Sequence, residues 1–360
     1  MTVADFTEYK FPQPDYQFDL STIPAETTVL KLGNRFKQPI RRGELPQGLK
    51  KLTLPNLYDH ELEIGSLPEG LEELIFGREY CKDIRPGVLP KSLKILRVLG
   101  GHFDGKVIGL VTGSLPEGLE EFYFTCNSTY KIQPSILPRS LKIFHMTGYF
   151  NNVLVMNSLP DSLEELRIDI DSQCIYPGLF PSSIKILSIP RKIKDKLEPD
   201  VLPENLQVLD LTNCDRYKHE FQQNLFPKNL KKLYLPRNYN GQIRPNVIPD
   251  NLEEIHIHPK YSGTYEFIPK TTRIYSHEKH IPGRNYTLVY RTGDTGEWSE
   301  KMEGICQHGE PYEYHFGCVR RFAVDVSPLR CAGSDSDNAE LIRKISEQIS
   351  QLSKMLQNLA

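Results

Sequence analysis

Four side chains near the carboxy terminus have types and spacings that could bind a metal. Cys306 and His308 form a C-x-H pair, and His315 and Cys318 form an H-x-x-C pair. All four are residue types that zinc accepts as ligands. Only six residues separate the pairs, short for two clamping arms, so the sequence reads them as neighbours in a small β module and as weak metal candidates. A second group is His256, His258, His277 and His280. His256 and His258 fall on one face of a strand, which two ligands could use, although ordinary strand positions account for them equally well. The chain has no Gly-rich phosphate loop of Walker or Rossmann type, no His-Glu-x-x-His and no Gly-x-Ser-x-Gly. The expectation is therefore a protein that is not an enzyme, carries no cofactor, and acts by presenting a surface.

The element that must present such a surface is a repeat. A Leu, Ile or Phe followed by Pro marks twelve positions, with prolines at Pro24, Pro46, Pro68, Pro90, Pro116, Pro138, Pro160, Pro181, Pro203, Pro227, Pro249 and Pro269. Most spacings are 22 residues, the signature of stacked units. Within Leu67 to Phe76, the residues Leu71, Leu74 and Phe76 follow the L-x-x-L-x-L spacing of a leucine-rich-repeat strand. Leu206, Leu209 and Leu211 do the same and are followed by Cys214, where such repeats place Asn or Cys; Asn127 and Asn238 share that offset. A proline at the second position of a type I turn would bend each coil into its strand. So short a coil cannot bury its own leucines, which must leave water between neighbouring coils. The predicted fold is a mainly β or α-β solenoid of 11 to 12 coils with one parallel sheet. Thr27 and Thr272 replace the central leucine in the first and last units, as expected where a stack ends on a more polar face.

Two polar patterns run along the array. The residue after the central leucine reads Lys50, Glu72, Lys94, Glu120, Lys142, Glu164, Lys185, Gln207, Lys231 and Glu253. Strands in a stack lie about 4.8 Å apart, so alternating signs predict a ladder of ion pairs that also penalises a coil out of register. The residue after the proline behaves similarly in Glu69, Lys91, Glu117, Arg139 and Asp161. Strand alternation sends a second column to the face opposite the leucines. It comprises Lys31, Thr53, Ile75, Arg97, Tyr123, His145, Arg167, Ser188, Asp210, Tyr234 and His256. Beside it Ile95, Ile143, Ile186 and Val208 form an apolar file. Tyr, His and Arg favour interface hot spots, so these two columns, from Ile95 to Tyr234, are the predicted protein-binding residues.

The repeat resembles the FNIP repeat family of social amoebae and of giant viruses that infect amoebae. Phe36-Lys37-Gln38-Pro39-Ile40, then Gly43-Glu44-Leu45-Pro46, Leu49 and Leu52, match its motif. Tyr239-Asn240-Gly241-Gln242-Ile243 before Ile248-Pro249, and Phe150-Asn151-Asn152-Val153 before Leu159-Pro160, match more loosely. Many members carry an amino-terminal F-box docking on a ubiquitin ligase, which implies that the repeats are a substrate receptor. Met1 to Thr22 is shorter than that module, so partner recognition is what the resemblance implies here.

Composition supports one elongated domain with additions: 39% apolar residues, 25% charged residues and a formal net charge of −2. That balance offers nucleic acid no broad basic surface. No apolar run is long enough for a signal sequence or a membrane span, and seven unpaired-looking cysteines suggest reduced thiols, so an intracellular, cytoplasmic setting is expected. Residues 1–22 read as a cap, 23–277 as the solenoid, 278–333 as a small β module and linker, and 334–360 as an amphipathic helix. The module's strand candidates are 285–291, 312–316 and 321–326. In the helix, Ile342, Ile345, Ile349, Leu352, Leu356 and Leu359 alternate at steps of three and four, a coiled-coil seam. It predicts a homo-oligomer, dimer or trimer, with folding back onto the solenoid as the alternative.

Overall fold

The computed structural model describes residues 19–34, 36–99, 109–125, 131–147, 154–169, 174–189, 193, 196–258, 261–277, 287–291 and 298–303. The chain divides into two compact units, Met1–Ile305 and Cys306–Ala360. The second unit lies outside the described residues, and with it the Cys306, His308, His315 and Cys318 group, the strand candidates at 312–316 and 321–326, and the seam from Ile342 to Leu359.

Among the described residues a 3-10 turn at Leu20–Thr22 is followed by the strands of one sheet. Its strands are β1 (Val29–Lys31), β2 (Lys51–Thr53), β3 (Glu73–Phe76), β4 (Ile95–Val98), β5 (Glu121–Thr125), β6 (Ile143–Thr147) and β7 (Glu165–Asp169). They continue as β8 (Ile186–Ser188), β9 (Val208–Asp210), β10 (Lys232–Tyr234), β11 (Glu254–Ile257), β12 (Arg273–His277), β13 (Thr287–Arg291) and β14 (Trp298–Glu303). Spatial order equals chain order throughout. Strands β1 to β12 pair in parallel, one per coil, so the fold is a leucine-rich-repeat-like β-solenoid. β13 and β14 extend it by antiparallel pairing, and the backbone of β13 falls within the strand expected at 285–291.

Register is set by one apolar position per strand. Leu30 aligns with Leu52 and Leu52 with Leu74, and equivalent positions continue through Phe122 and Phe144 to Ile274. These side chains and the central leucines are buried, and each buried leucine contributes about 1.5–3 kcal/mol. The alternate strand residues, such as Glu73 and Ile75, stay half-exposed. The shortest strands thus place one core residue between two outward ones, and longer strands add a second, as Phe124 does in β5 and Met146 in β6.

Two turns close each coil. All twelve repeat prolines accept a hydrogen bond at their carbonyl from the N–H three residues on, as in Leu49 to Pro46 at 3.1 Å and Leu71 to Pro68 at 3.1 Å. Proline therefore occupies the first position of this turn, and not the second as the sequence suggested. Proline keeps its carbonyl, and the acceptor is the only backbone hydrogen-bonding group this position must supply. The residue before the central leucine then ties coils together: Ser92 donates to the Leu71 carbonyl at 2.6 Å, Ser140 to Leu119 at 2.6 Å and Asn205 to Ser182 at 3.1 Å. The other turn needs a left-handed third residue, supplied by Gly43, Gly65, Gly87, Gly113 and Gly178, by Asn157, Asn224, Asn246 and Asp200, and by Ser135 at φ 68°. Positive φ at that position is the type II requirement.

An aromatic ladder runs along the return side. Tyr58 accepts the Ile40 N–H and Tyr217 the Leu197 N–H, both at 3.3 Å. Phe36, Tyr58 and Tyr80 stack successively, with ring centroids 6.2 Å and 6.4 Å apart. Burial pushes the Tyr58 and Tyr217 phenols up to about 12, so each remains a neutral hydrogen-bonding group. This gives Phe36 and Tyr239, the aromatic residues opening the matched motifs, a structural role.

The charge ladder forms on the exposed edge: Lys50–Glu72 at 2.8 Å, Lys94–Glu120 at 3.2 Å, Lys142–Glu120 at 2.8 Å, Lys185–Glu164 at 2.7 Å and Lys231–Glu253 at 3.1 Å. In the second pattern, Glu117 accepts the backbone N–H of Arg139. The expected polar ends are different. Thr27 and Thr272 are buried, and the Thr272 hydroxyl donates to the Leu252 carbonyl at 2.8 Å, so a threonine is accommodated in a leucine position without facing water. Cys214 is buried at the Asn/Cys offset, whereas Asn238 is exposed and Asn127 lies outside the described residues.

The left-handed turn gives a direct test. A Cβ at Gly43 meets no atom within 4 Å, so Gly43→Ala isolates backbone strain. It should cost about 1–2 kcal/mol in urea unfolding, with Gly43→Asn costing less.

Candidate functional site: the outward strand face

The face opposite the core is built from two residues per strand. The predicted column from Lys31 to His256 lies along it in register, with Arg97 beside Tyr123, Tyr123 beside His145 and His145 beside Arg167. These four are half-buried, and so are Ile95, Ile143, Ile186 and Val208 in the neighbouring row.

That neighbouring row is not a continuous apolar file. Glu73, Glu121 and Glu165 alternate with Ile95, Ile143 and Ile186, because each is the second glutamate of a Glu-Glu pair whose first member points to the exposed ladder. The second glutamates carry a signal of their own in the sequence, since period-two alternation from Ile75, Tyr123 and Arg167 places them on the same face.

The acidic row holds the column in place. Tyr123 donates its hydroxyl to Glu121 at 2.9 Å, and the Arg97 guanidinium sits over the Tyr123 ring, 3.7 Å from its centroid. His145 meets the other side of that ring edge-on at 4.8 Å. His145 Nε2 also lies 2.8 Å from Glu165, which accepts from Arg167 Nε at 2.6 Å. Burial by itself would push the Glu165 carboxyl up, but His145 and Arg167 together outweigh it and hold the group at about 2. A cation–π contact of this kind contributes about 0.5–1 kcal/mol, more when desolvated.

Further along, the face changes character. Ser188 and Asp210 are buried, and Asp210 accepts the Thr212 N–H at 2.9 Å. Burial pushes the Asp210 carboxyl up. These two predicted residues therefore lie beneath the surface. His256 is stacked between Tyr234 at 4.0 Å and Tyr275 at 4.6 Å, and burial lowers its imidazole. Glu254 lies between Lys232 at 3.0 Å and Arg273 at 2.7 Å; His256, with these two cations, holds its carboxyl at about 2. His280 lies outside the described residues, as does the side chain of His277. Among the described residues no group of three or more His, Cys, Asp or Glu side chains could hold a metal ion. No described helix is long and apolar enough to cross a membrane.

The FNIP Repeat profile matches residues 17–57, 58–98, 130–169, 172–214 and 217–260, together more than half of the chain. The protein belongs to the FNIP repeat family. Each matched segment spans two coils, and the unmatched stretch between 98 and 130 holds the coil of β5. The FNIP protein is also similar in structure to CroV588 of the giant virus CroV, whose crystal structure is described as a novel circular leucine-rich-repeat structure. The TM-score is 0.61 at 25% sequence identity, covering 70% of this chain and 40% of CroV588. The match thus covers less than half of that relative's length. No curated protein matches it significantly in sequence.

Glu165 makes the face pH-sensitive in a defined direction. Its folded-state carboxyl titrates below the unfolded one, so its stabilisation is complete above about pH 4.5 and lost as the pH falls towards 2; it amounts to about 3 kcal/mol at most. Glu165→Gln should flatten the acid limb of stability against pH between those values, read by thermal unfolding.

Proposed function

We propose that this FNIP protein is a non-enzymatic interaction scaffold and that the outward strand face around Arg97, Tyr123, His145 and Arg167 captures a protein partner. One observation carries the reading: aromatic and basic side chains of hot-spot type are held in fixed orientations by a row of half-buried carboxylates. Side chains ordered before binding lose less entropy in the complex, so a partner gains more from each contact. Repeat solenoids generally use such extended faces for binding. Ile95, Ile143, Ile186 and Val208 supply the apolar area beside them, and Tyr234 marks the far end. Ser188 and Asp210, being buried, lie outside the contact area.

Tyr123→Ala and Arg167→Ala, each checked for an unchanged unfolding transition, should each reduce capture of the native partner at least about tenfold, as loss of a hot spot does. Undiminished capture would remove the face from consideration.

The sequence supports a second component. The seam of Ile342, Ile345, Ile349, Leu352, Leu356 and Leu359 has coiled-coil spacing, and self-association through it would multiply weak contacts into avidity. Light scattering of the full chain at micromolar concentration should give a mass of two or three chains, and a monomeric mass would defeat this component.

A further inference from the structure

The row that opens the strands has a period of two coils. Glu73, Ile95, Glu121, Ile143, Glu165 and Ile186 follow one another in register, and all six are half-buried. Strands lie about 4.8 Å apart, so the isoleucines recur about every 9.6 Å along the stack, with a carboxylate midway between successive ones.

That distance selects among peptide conformations. A polyproline II helix returns to the same face every three residues, about 9.3 Å, so two repeats cover about 18.6 Å against about 19.2 Å from Ile95 to Ile186. An extended β ligand repeats its face about every 6.7 Å and would miss Ile143 by about 3 Å. An α-helix advances about 10.8 Å in two turns and would be more than 2 Å out of step by Ile186. Glu121 is engaged by Tyr123 and Arg97, and Glu165 by His145 and Arg167, so the isoleucines are the side chains of this row that a ligand meets.

We propose that this row binds a partner segment in polyproline II conformation, running along the stack across β4 to β8. The segment carries an apolar side chain at every third position, set against Ile95, Ile143 and Ile186. The proposal rests on the strand face being the binding surface and names the class of partner.

The test uses the full chain and two fluorescent peptides of identical composition. One repeats Leu-Pro-Lys; the other is permuted so that its leucines stand at every second position. Anisotropy titration should show the repeating peptide binding at least about tenfold tighter, a gap of about 1.4 kcal/mol. Ile143→Ser should abolish that preference, and Ile64→Ser, on an exposed turn where the side chain is 68% exposed, should leave it unchanged. Equal affinities, no binding of the repeating peptide, or a preference that survives Ile143→Ser would each overturn the polyproline II assignment. Those results are independent of capture of the native partner by the Tyr123 and Arg167 variants, whose failure would instead sink the binding-face reading itself.

Discussion

Every column of side chains in this protein exists because one coil cannot bury its own leucines. A strand of three to five residues gains nothing alone, whereas between two others its core side chains leave water entirely, as Leu52, Leu74 and Leu96 do. Burial therefore enforces register, and register converts a sequence period into rows of equivalent residues about 4.8 Å apart. The turns serve that constraint. The proline carbonyl closes one corner, a left-handed residue, mostly Gly or Asn, closes the other, and where Ser or Asn precedes the central leucine it fastens the coil to the one before.

Once rows exist, the same charge alternation does different things at different depths. On the exposed edge, Lys142 and Glu120 are half-exposed and screened, so their pairing contributes little energy and mainly disfavours a displaced coil. One residue further on, Glu165 is 17% exposed and lies between His145 and Arg167, where lower solvation makes the same charges strong enough to fix side-chain orientation. The proposed recognition surface and the register device are thus neighbouring columns of one repeat.

The repeat period, the strand position and the exposed ladder were legible in the sequence because each depends on spacing within a unit. The family resemblance was legible for the same reason, since its motif is local. The acidic row was partly legible: Glu121 and Glu165 were in plain view as second members of Glu-Glu pairs, but their role needs the neighbour one coil away that they grip. The burial of Ser188, Asp210 and Thr272 left no local trace, since a polar residue is sheltered only when adjacent coils supply its hydrogen bonds and cover. Aromatic residues such as Tyr58 and Tyr217 were visible as motif letters, whereas the N–H each satisfies sits some twenty residues away.

By itself the sequence determined that the chain stacks, at what period, and which strand positions alternate between the two faces, because hydrophobic periodicity and strand alternation are properties of consecutive residues. Only the tertiary structure decided that Tyr123 lies between Arg97 and His145, that Glu165 is a clamp, and that Asp210 is hidden. Those outcomes depend on distances between residues a full coil apart and on local solvation, and neither exists until the coils pack.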